Sequence, residues 1–263
     1  MPLVDNSSSG GSMTMHKIIQ SFFLVCMVTI FIGCGASQPV KEVAVKQFDD
    51  LPPWSDDFYN YIGSTYGEGA RRRAKIIYNF VGDNYHKTEL EKVYAVNDLF
   101  NKIPWIQDSE HWNKTDYWAT PLETIVTFGG DCEDIAIAKY SLLHNMGVPT
   151  DHIAIGYVNI DLGGPEREPH MILFYKGGKN DKALVLDNID QTIKPYSERK
   201  DLTAVYAVNA KFTYLINDGQ VTSKFDSKKF SKAVELGQRN KENRAKIEKI
   251  NGGPLVPDGF KGH

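Results

Sequence analysis

The hydrophobic period of this chain changes about halfway along it, and this change constrains the fold more than any other feature. In the first half, apolar residues recur every three or four positions, as at Ile76, Ile77, Phe80 and Val81, which predicts amphipathic helices. In the second half, short β-branched or aromatic segments are separated by turn residues, which predicts strands. Several consecutive strands favour an antiparallel sheet. We therefore expect a helical first half followed by such a sheet.

The same patterns give approximate bounds for the elements. Helices are predicted over residues 67–86 and 88–103, from Thr120 to the Gly129-Gly130 pair, from Asp131 to about residue 147, and over residues 226–250. Strands are predicted over residues 153–160, 171–175, 183–186, 204–208 and 213–216. We expect residues 55–250 to form a single domain.

The composition excludes two broad classes. Of the 263 residues, 41% are hydrophobic and 24% are charged, so the chain has enough apolar surface for a core and is not expected to be disordered. The formal net charge is −3, whereas a general nucleic-acid binder carries a basic surface. We therefore expect no nucleic-acid partner.

The first 33 residues have the pattern of a leader and a signal peptide. Residues 1–12 lack periodicity, and His16 and Lys17 then precede an apolar run of about fifteen residues. This run is shorter than the roughly 20 residues that a membrane-spanning helix needs. The residues that end at Cys34 resemble the lipobox of bacterial lipoproteins, in which the cysteine is lipidated. The alternative is an uncleaved N-terminal anchor.

Both alternatives place the rest of the chain outside the cytoplasm. Residues 34–54 are polar with a pair of prolines, and they are interpreted as a tether that follows the lipidation site at Cys34. Residues 251–263 are interpreted as a C-terminal tail. The protein is thus expected to be attached to a membrane through lipidated Cys34.

Only one cysteine remains in the predicted mature body. The sequence contains three cysteines, of which Cys26 lies in the segment predicted to be removed and Cys34 is the predicted lipidation site. Cys132 follows Asp131, a favourable N-cap residue, and therefore lies in the first turn of a predicted helix. Unpaired N–H groups and the helix dipole stabilise a thiolate there, so we expect a lowered thiol pKa and a better nucleophile.

Two further residues have the types that a cysteine nucleophile needs. A base must lie within reach of the thiol, and a third group must orient that base. His170 opens a predicted strand and Asp187 ends the next one, so adjacent antiparallel strands would place their side chains side by side. Each residue also has a structural alternative: a buried cysteine, a hydrogen-bonded histidine and a turn-capping aspartate. The ordered set favours a catalytic arrangement.

Four motifs together resemble a known family. They are Trp118-Ala119-Thr120-Pro121-Leu122-Glu123, Gly129-Gly130-Asp131-Cys132-Glu133-Asp134, His170-Met171 and Val185-Leu186-Asp187-Asn188. They are similar to motifs of the bacterial transglutaminase-like cysteine proteases, and in particular of the LapG-type periplasmic enzymes that release large surface adhesins. The resemblance covers roughly residues 50–220. It implies an α+β, papain/transglutaminase-like fold, in which a helical lobe with the nucleophile at a helix N-terminus packs on an antiparallel sheet.

The resemblance also implies roles and partners. Cys132 would be the nucleophile, His170 the general base and then acid, and Asp187 the residue that holds the imidazole tautomer. The implied location is the periplasm, and the implied substrate is a large surface adhesin, cut near its N-terminus. An inner-membrane cyclic-di-GMP receptor of the LapD type would sequester the protease and thereby control biofilm attachment. The lipobox at Cys34 departs from the soluble form of the family.

Three carboxylates flank the cysteine. Asp131, Glu133 and Asp134 would raise the thiol pKa by Coulomb repulsion, and a hard cation would neutralise them. Clustered carboxylates suit Ca²⁺, which takes six to eight oxygen ligands. The resemblance supports Ca²⁺ as the cofactor, bound partly by these residues. The alternative is an acidic helix start that is favoured by the dipole alone.

Three points stay open on the residues alone. Trp118 is a candidate for the oxyanion or substrate site, with packing in the core as its alternative. The same catalytic residues also serve acyl transfer to an amine, as in a transglutaminase, because water and an amine compete for one acyl-enzyme. A non-catalytic calcium-binding interaction module with the same fold is the remaining alternative.

Overall fold

The computed structural model describes residues 42–178, 181–229 and 231–256. The predicted signal peptide (1–33), the predicted lipidation site Cys34 and the start of the predicted tether (34–41) lie outside the described residues, as do residues 257–263. Within the described ranges, no helix is both long enough and apolar enough to cross a membrane.

The first half of the described chain is helical. The α-helices are α1 (Asp56–Tyr66), α2 (Glu68–Asn84), α3 (Glu89–Phe100), α4 (Asp108–His111), α5 (Pro121–Thr127), α6 (Cys132–Asn145) and, after the sheet, α7 (Ser231–Asn251). Short 3₁₀ helices span Tyr196–Glu198 and Ser227–Lys229.

Local sequence explains where several of these helices begin. The side chain of Thr88 accepts a hydrogen bond from the backbone of Glu91, whose carboxylate accepts one from the backbone of Thr88, which is a capping box. Thr120 and Glu123 make the same exchange at the start of α5. Ser55 caps α1 by accepting from a backbone N–H of its first turn.

A single antiparallel sheet forms most of the second half. Its strands are β1 (Ile153–Ile160), β2 (Glu168–Tyr175), β3 (Leu184–Leu186), β4 (Lys194–Pro195), β5 (Leu202–Val208), β6 (Phe212–Asn217) and β7 (Gln220–Asp226), in the order β4-β3-β2-β1-β5-β6-β7. Leu173 of β2 lies opposite Leu186 of β3. The start of β2 and the residues just after β3 therefore lie at the same end of the sheet.

Helix α6 joins the helical part to the sheet. It packs against β2, β1 and α3, and its residues from Asp134 to Lys139, together with Leu143, are buried. In the main core, Ile135 and Leu143 meet Leu173 and Ile153 of the sheet. Burial of one such side chain contributes about 1.5–3 kcal/mol. The packing therefore fixes the N-terminus of α6 beside the start of β2.

The predicted fold class is confirmed, and most predicted elements are present. Strand β1 has the predicted bounds, and β2, β3, β5 and β6 overlap the predicted strands. Helices α1 and α4 and strands β4 and β7 were not predicted. The last helix begins at Ser231 rather than at residue 226, because β7 runs to Asp226 and a 3₁₀ turn follows it. Strand β7 is polar and largely exposed, so it lacks the apolar alternation that reveals a strand.

The packed part of the chain extends beyond the predicted bounds of 55–250. Leu51 is 3% exposed, and the ring of Phe48 meets that of Tyr78 with centroids 5.8 Å apart. The indole of Trp54 donates a hydrogen bond to the carbonyl of Leu255 at 2.8 Å. The described residues of the predicted tether and tail therefore contact the domain, because their apolar side chains are buried there.

Candidate active site

The cysteine lies at the first position of α6, behind a tight turn. Helix α5 ends at Thr127, and Phe128 has a left-handed backbone with φ 57°. Gly130 then pairs with Trp105 in a short parallel bridge. A Cβ atom on Gly130 would lie 2.6 Å from Cβ of Asp134, so only glycine fits at this position. The turn directs the first residues of α6 toward the sheet. The helix begins at Cys132 with Asp131 as its N-cap residue, as predicted.

The Cys132 thiol contacts both α6 and β2. Its Sγ donates to the carboxylate of Glu133 at 3.0 Å and accepts a hydrogen bond from the backbone N–H of Met171. Met171 directly follows His170 on β2. The structure therefore places the thiol next to the strand position that carries the candidate base.

The expected lowering of the thiol pKa is wrong for this arrangement. Burial raises the pKa of the Cys132 thiol, and the carboxylates of Glu133 and Asp131 raise it further. The hydrogen bond from Met171 acts in the opposite direction but is smaller. Desolvation and the negative charge that the chain itself supplies therefore set the direction of the shift.

His170 and Asp187 form a buried pair. The Nε2 atom of His170 lies 2.8 Å from Oδ1 of Asp187, and both side chains are almost fully buried. Because Nε2 faces Asp187, Nδ1 is the imidazole nitrogen available for proton exchange with a thiol. The antiparallel pairing of β2 with β3 produces this contact between residues that are 17 positions apart.

Hydrogen bonds satisfy both oxygens of Asp187. Oδ1 also accepts from the backbone N–H of Ile189 at 2.9 Å, and Oδ2 accepts from Nη2 of Arg199 at 2.8 Å. Burial alone would raise the pKa of Asp187, but the bonds from His170, Ile189 and Arg199 hold it at about 2. Asp187 is therefore ionised throughout the neutral pH range.

Two buried cations near Asp187 were missed by the sequence reasoning. Arg199 follows a 3₁₀ turn and is 4% exposed. Lys139 lies in α6 and is 1% exposed, and its Nζ donates to Oδ1 of Asn97 at 2.9 Å and to the carbonyl of Asp187 at 3.2 Å. Burial lowers the pKa of Lys139 to about 7. A lysine within the apolar face of a buried helix was a usable signal, whereas no local pattern marks Arg199.

The carboxylate cluster at the cysteine is larger than the sequence suggested. Asp131, Glu133 and Asp134 were predicted, and Asp108 of α4 and Asp116 join them. One set combines Asp108, Asp131 and Asp134 and another combines Asp108, Asp116 and Glu133, each with its oxygens within 4.8 Å of one another. Asp108 and Asp116 escaped prediction because they come from a segment some twenty residues upstream.

The cluster has the properties of a cation site. One carboxylate oxygen each of Asp108, Asp131 and Asp134 is buried without a hydrogen-bond partner in the described part of the chain. Burial, followed by the charge of Glu133, raises the pKa of Asp131 to about 9, and burial raises that of Asp134 to about 7. Unpartnered oxygens from several carboxylates are a donor set that fits Ca²⁺.

The segment before α5 is held in place by α7. Arg239 donates to the carbonyl of Trp118 and to the hydroxyl of Tyr117, and Lys232 pairs with Asp116 at 2.8 Å. The backbone N–H of Ala119 donates to Asp134 at 2.7 Å. Trp118 itself is 6% exposed and belongs to the main core, which agrees with its packing alternative.

The fold and the site define a class of protein. An antiparallel sheet that carries a buried His–Asp pair, packed against a helix with a cysteine at its N-terminus, is the arrangement of the transglutaminase-like cysteine enzymes. The model of the bacterial transglutaminase-like cysteine proteinases (BTLCP) matches residues 49–204, more than half of the chain. The chain belongs to this family.

Solved structures support the same assignment. The EGTA-treated form of LapG from Legionella pneumophila is 30% identical, with a TM-score of 0.60, and the match covers 72% of this chain and 100% of that chain. The calcium-bound form of the same protein is 31% identical, with a TM-score of 0.58 and coverage of 69% and 96%. A comparison with curated proteins gave no match.

Proposed function

We propose that this LapG-like protease is a calcium-dependent cysteine endopeptidase of the periplasm. Its substrate would be a large cell-surface adhesin, cut near the N-terminus so that the adhesin leaves the surface and biofilm attachment ends. The chain belongs to a cysteine proteinase family and resembles LapG over most of its length. These similarities support a LapG-like cysteine protease, and the adhesin substrate rests on the motif resemblance alone.

One observation carries the proposal. The thiol of Cys132 accepts a hydrogen bond from the backbone of Met171, and the preceding residue, His170, is bonded to buried Asp187. The nucleophile, the strand position next to the base and a group that orients the base are therefore brought together from three different elements. Covalent catalysis by a thiol requires the order nucleophile, base and orienting group, and these two contacts support that order.

The proposed roles follow from this order. The proton of the Cys132 thiol passes to Nδ1 of His170, and the sulfur attacks the peptide carbonyl to form an acyl-enzyme. His170 then gives the proton to the leaving amine, and later takes one from the water that hydrolyses the thioester. Asp187 keeps the Nε2–H tautomer and stabilises the imidazolium.

The carboxylates that we propose as calcium ligands are Asp131, Glu133 and Asp134, together with Asp108 and Asp116. Bound calcium would supply the positive charge that these buried oxygens lack. The negative charge of Glu133 and Asp131 contributes to the raised pKa of Cys132. Neutralising that charge favours the thiolate, which explains why a protease of this kind would depend on calcium.

The proposed location and partners rest on the sequence. We propose a lipoprotein, held at a membrane by Cys34 and facing the periplasm, with an inner-membrane cyclic-di-GMP receptor of the LapD type as its regulator. No nucleic-acid partner is proposed. Labelling of the full chain with a clickable palmitate in its own bacterium tests the lipid: Cys34→Ala should abolish labelling, whereas labelling that persists contradicts this part of the proposal.

A cleavage assay tests the activity. The full chain is incubated with the N-terminal fragment of the large adhesin of the same organism, with calcium or with EGTA, and the new N-termini are sequenced. We expect cutting only with calcium, and none by Cys132→Ala or His170→Ala. His86→Ala is the matched control, because His86 is exposed and its ion pair in the described part of the chain is with Asp50.

Other outcomes separate the alternatives. An isopeptide product with release of ammonia would show acyl transfer instead of proteolysis. Calcium-dependent binding of the fragment, with neither product, would favour a non-catalytic interaction module. Cutting that ignores EGTA would retain the catalytic residues and overturn the calcium dependence.

A further inference from the structure

Arg199 is the most deeply buried arginine beside the candidate site. Its side chain is 2% exposed, and that of Asp187 is 0% exposed. Nη2 of Arg199 lies 2.8 Å from Oδ2 of Asp187, while Nε2 of His170 lies 2.8 Å from Oδ1. Arg199 and His170 therefore each bind a different oxygen of the Asp187 carboxylate.

This arrangement matters because a carboxylate has two equivalent oxygens and a soft terminal torsion. His170 and the backbone N–H of Ile189 both bind Oδ1, so without a donor on Oδ2 the carboxylate plane can still turn about that oxygen and change the direction of its bond to His170. A guanidinium on Oδ2 fixes the plane of the Asp187 carboxylate, so that Oδ1 stays aimed at His170. The direction of that bond selects the tautomer in which Nε2 of His170 carries the proton.

Arg199 is itself anchored from the far side. Its Nε and Nη2 donate to the carboxylate of Asp201 at 2.6–3.1 Å. Asp201 lies one residue before β5 and is partly exposed, with 35% of its side chain accessible. The chain of contacts thus runs from the surface at Asp201, through Arg199 and Asp187, to His170. Burying a guanidinium is costly unless it is paired, and Asp187 and Asp201 supply this pairing for Arg199.

We propose that Arg199 is a positioning residue, which acts through Asp187 to hold His170 in its Nε2–H tautomer. The inference rests on the proposed function, because it names a further residue of the same site. Arg199 would influence the rate of bond cleavage rather than the binding of the substrate, since it touches neither the substrate nor the thiol.

The test compares four variants of the full chain: Arg199→Gln, Arg199→Lys, Asp187→Asn and the double variant Asp187→Asn/Arg199→Gln. For Arg199→Gln, kcat on the adhesin fragment should fall about 10- to 100-fold with KM within about twofold, as when partners that orient a metal-bound histidine are removed. Arg199→Lys should fall less, because an ammonium keeps the charge but not the planar fork. In the Asp187→Asn background, adding Arg199→Gln should change kcat less than about threefold.

A second readout does not depend on the substrate. The proton that His170 shares with Asp187 gives a downfield NMR resonance, assigned with His170→Gln, and ¹⁵N-labelled histidine reports which ring nitrogen carries the proton. In Arg199→Gln this resonance should broaden or shift and the tautomers should mix. The partly exposed arginine variant Arg71→Gln is the control, because within the described residues the ion pair of Arg71 is with Glu68 at 3.3 Å.

The outcomes are distinguishable. An Arg199→Gln variant with wild-type kcat and an unchanged His170 resonance would overturn the inference, as would equal effects of Arg199→Gln with and without Asp187. If Arg199→Gln does not fold, the same criteria apply to Arg199→Lys. If the wild-type protein cuts no fragment, the proposed function fails, while the NMR measurement still decides the role of Arg199.

Discussion

Two groups of buried carboxylates lie within one site, and their surroundings shift their pKa values in opposite directions. Asp187 is surrounded by donors and cations from this chain, and its pKa is held at about 2. Asp131 and Asp134, beside the cysteine, are surrounded by other carboxylates, and their pKa values rise to about 9 and 7. One oxygen of each of these two lacks a partner among the described residues.

The difference shows which half of the site is complete within the chain. The His170–Asp187 end has its counter-charge in Arg199 and its hydrogen bonds in Ile189 and His170. At the Cys132 end, the five clustered carboxylates have only one close cationic contact in the described chain, between Lys232 and Asp116. The folded chain therefore supplies counter-charge for Asp187 by itself, whereas the carboxylates around Cys132 lack a matching charge that the proposed calcium would supply.

The largest expected effect is the loss of Asp187. Asp187→Asn should lower kcat about 10⁴-fold, the cost of a wrong imidazole tautomer in related catalytic sites. It should also destabilise the protein by about 3–5 kcal/mol, because Arg199 is left buried without one of its partners. Assays of kcat and chemical unfolding measure both effects, with and without calcium.

The matched control is Asp218→Asn, because Asp218 lies in an exposed turn with φ 48°, a conformation that asparagine adopts readily. This control should leave kcat and stability unchanged. A destabilisation of Asp187→Asn that appears only without calcium would break the comparison, because the two ends of the site would then not be independent.

The next effect concerns the carboxylate end. Calcium at 100 times its Kd should stabilise the protein by about 2.7 kcal/mol, which is about 5–10 °C in Tm for a domain of this size. Asp131→Asn should abolish most of this gain. Without calcium, the same substitution should raise Tm above that of the wild type, because it removes a carboxyl group that folding leaves buried among like charges.

Calorimetry with calcium and with EGTA measures this pair of opposite effects, and Asp161→Asn, in an exposed loop, is the control. If Asp131→Asn lowers Tm both with calcium and with EGTA, the buried carboxylates are not destabilising without the ion, and the proposed incomplete charge balance is wrong.

The pH dependence should also differ between the two ends. The pKa values of Asp131 and Asp134 are raised in the calcium-free folded state, so between about pH 4 and 9 this state binds more protons than the unfolded chain, and stability falls as the pH rises. Calcium needs the deprotonated carboxylates, so its effect on Tm should be larger at pH 8 than at pH 5. The lowered pKa of Asp187 has the opposite consequence: its contribution is lost as the pH falls from about 4 to 2.

Thermal unfolding across this pH range, with calcium and with EGTA, checks both signs. A calcium effect of the same size at pH 5 and pH 8 would mean that the clustered carboxylates are already ionised without the ion.

The smallest expected effect concerns the helix that holds the loop of the carboxylate end. Arg239→Met removes the bonds to Trp118 and Tyr117 and should weaken calcium binding by about 2- to 10-fold, the equivalent of about one hydrogen bond. Lys249→Met on the exposed side of the same helix is the control. Isothermal titration gives the two Kd values, and equal values would show that α7 does not support the site.

Much of the fold and part of the site were predictable from local pattern. The bounds of β1, the helix that starts at Asp131 and the position of Cys132 in its first turn follow from spacing and capping residues that lie next to one another in the chain. The pairing of His170 with Asp187 followed from the order of two strands. Strand β7 was missed because its sequence is too polar for hydrophobic period to reveal it. Helix α1 was also missed, although Phe58, Tyr59 and Ile62 have helical spacing and were a usable signal.

The sequence alone determined the α+β architecture, the helix-start cysteine and three of the clustered carboxylates, because each depends on residues close together in the chain. The tertiary structure alone decided that Asp108 and Asp116 join that cluster, that Arg199 and Lys139 flank Asp187, and that the Cys132 thiol has a raised pKa. The physical reason is that desolvation and Coulomb interactions depend on distance in space, which packing sets and local sequence does not specify.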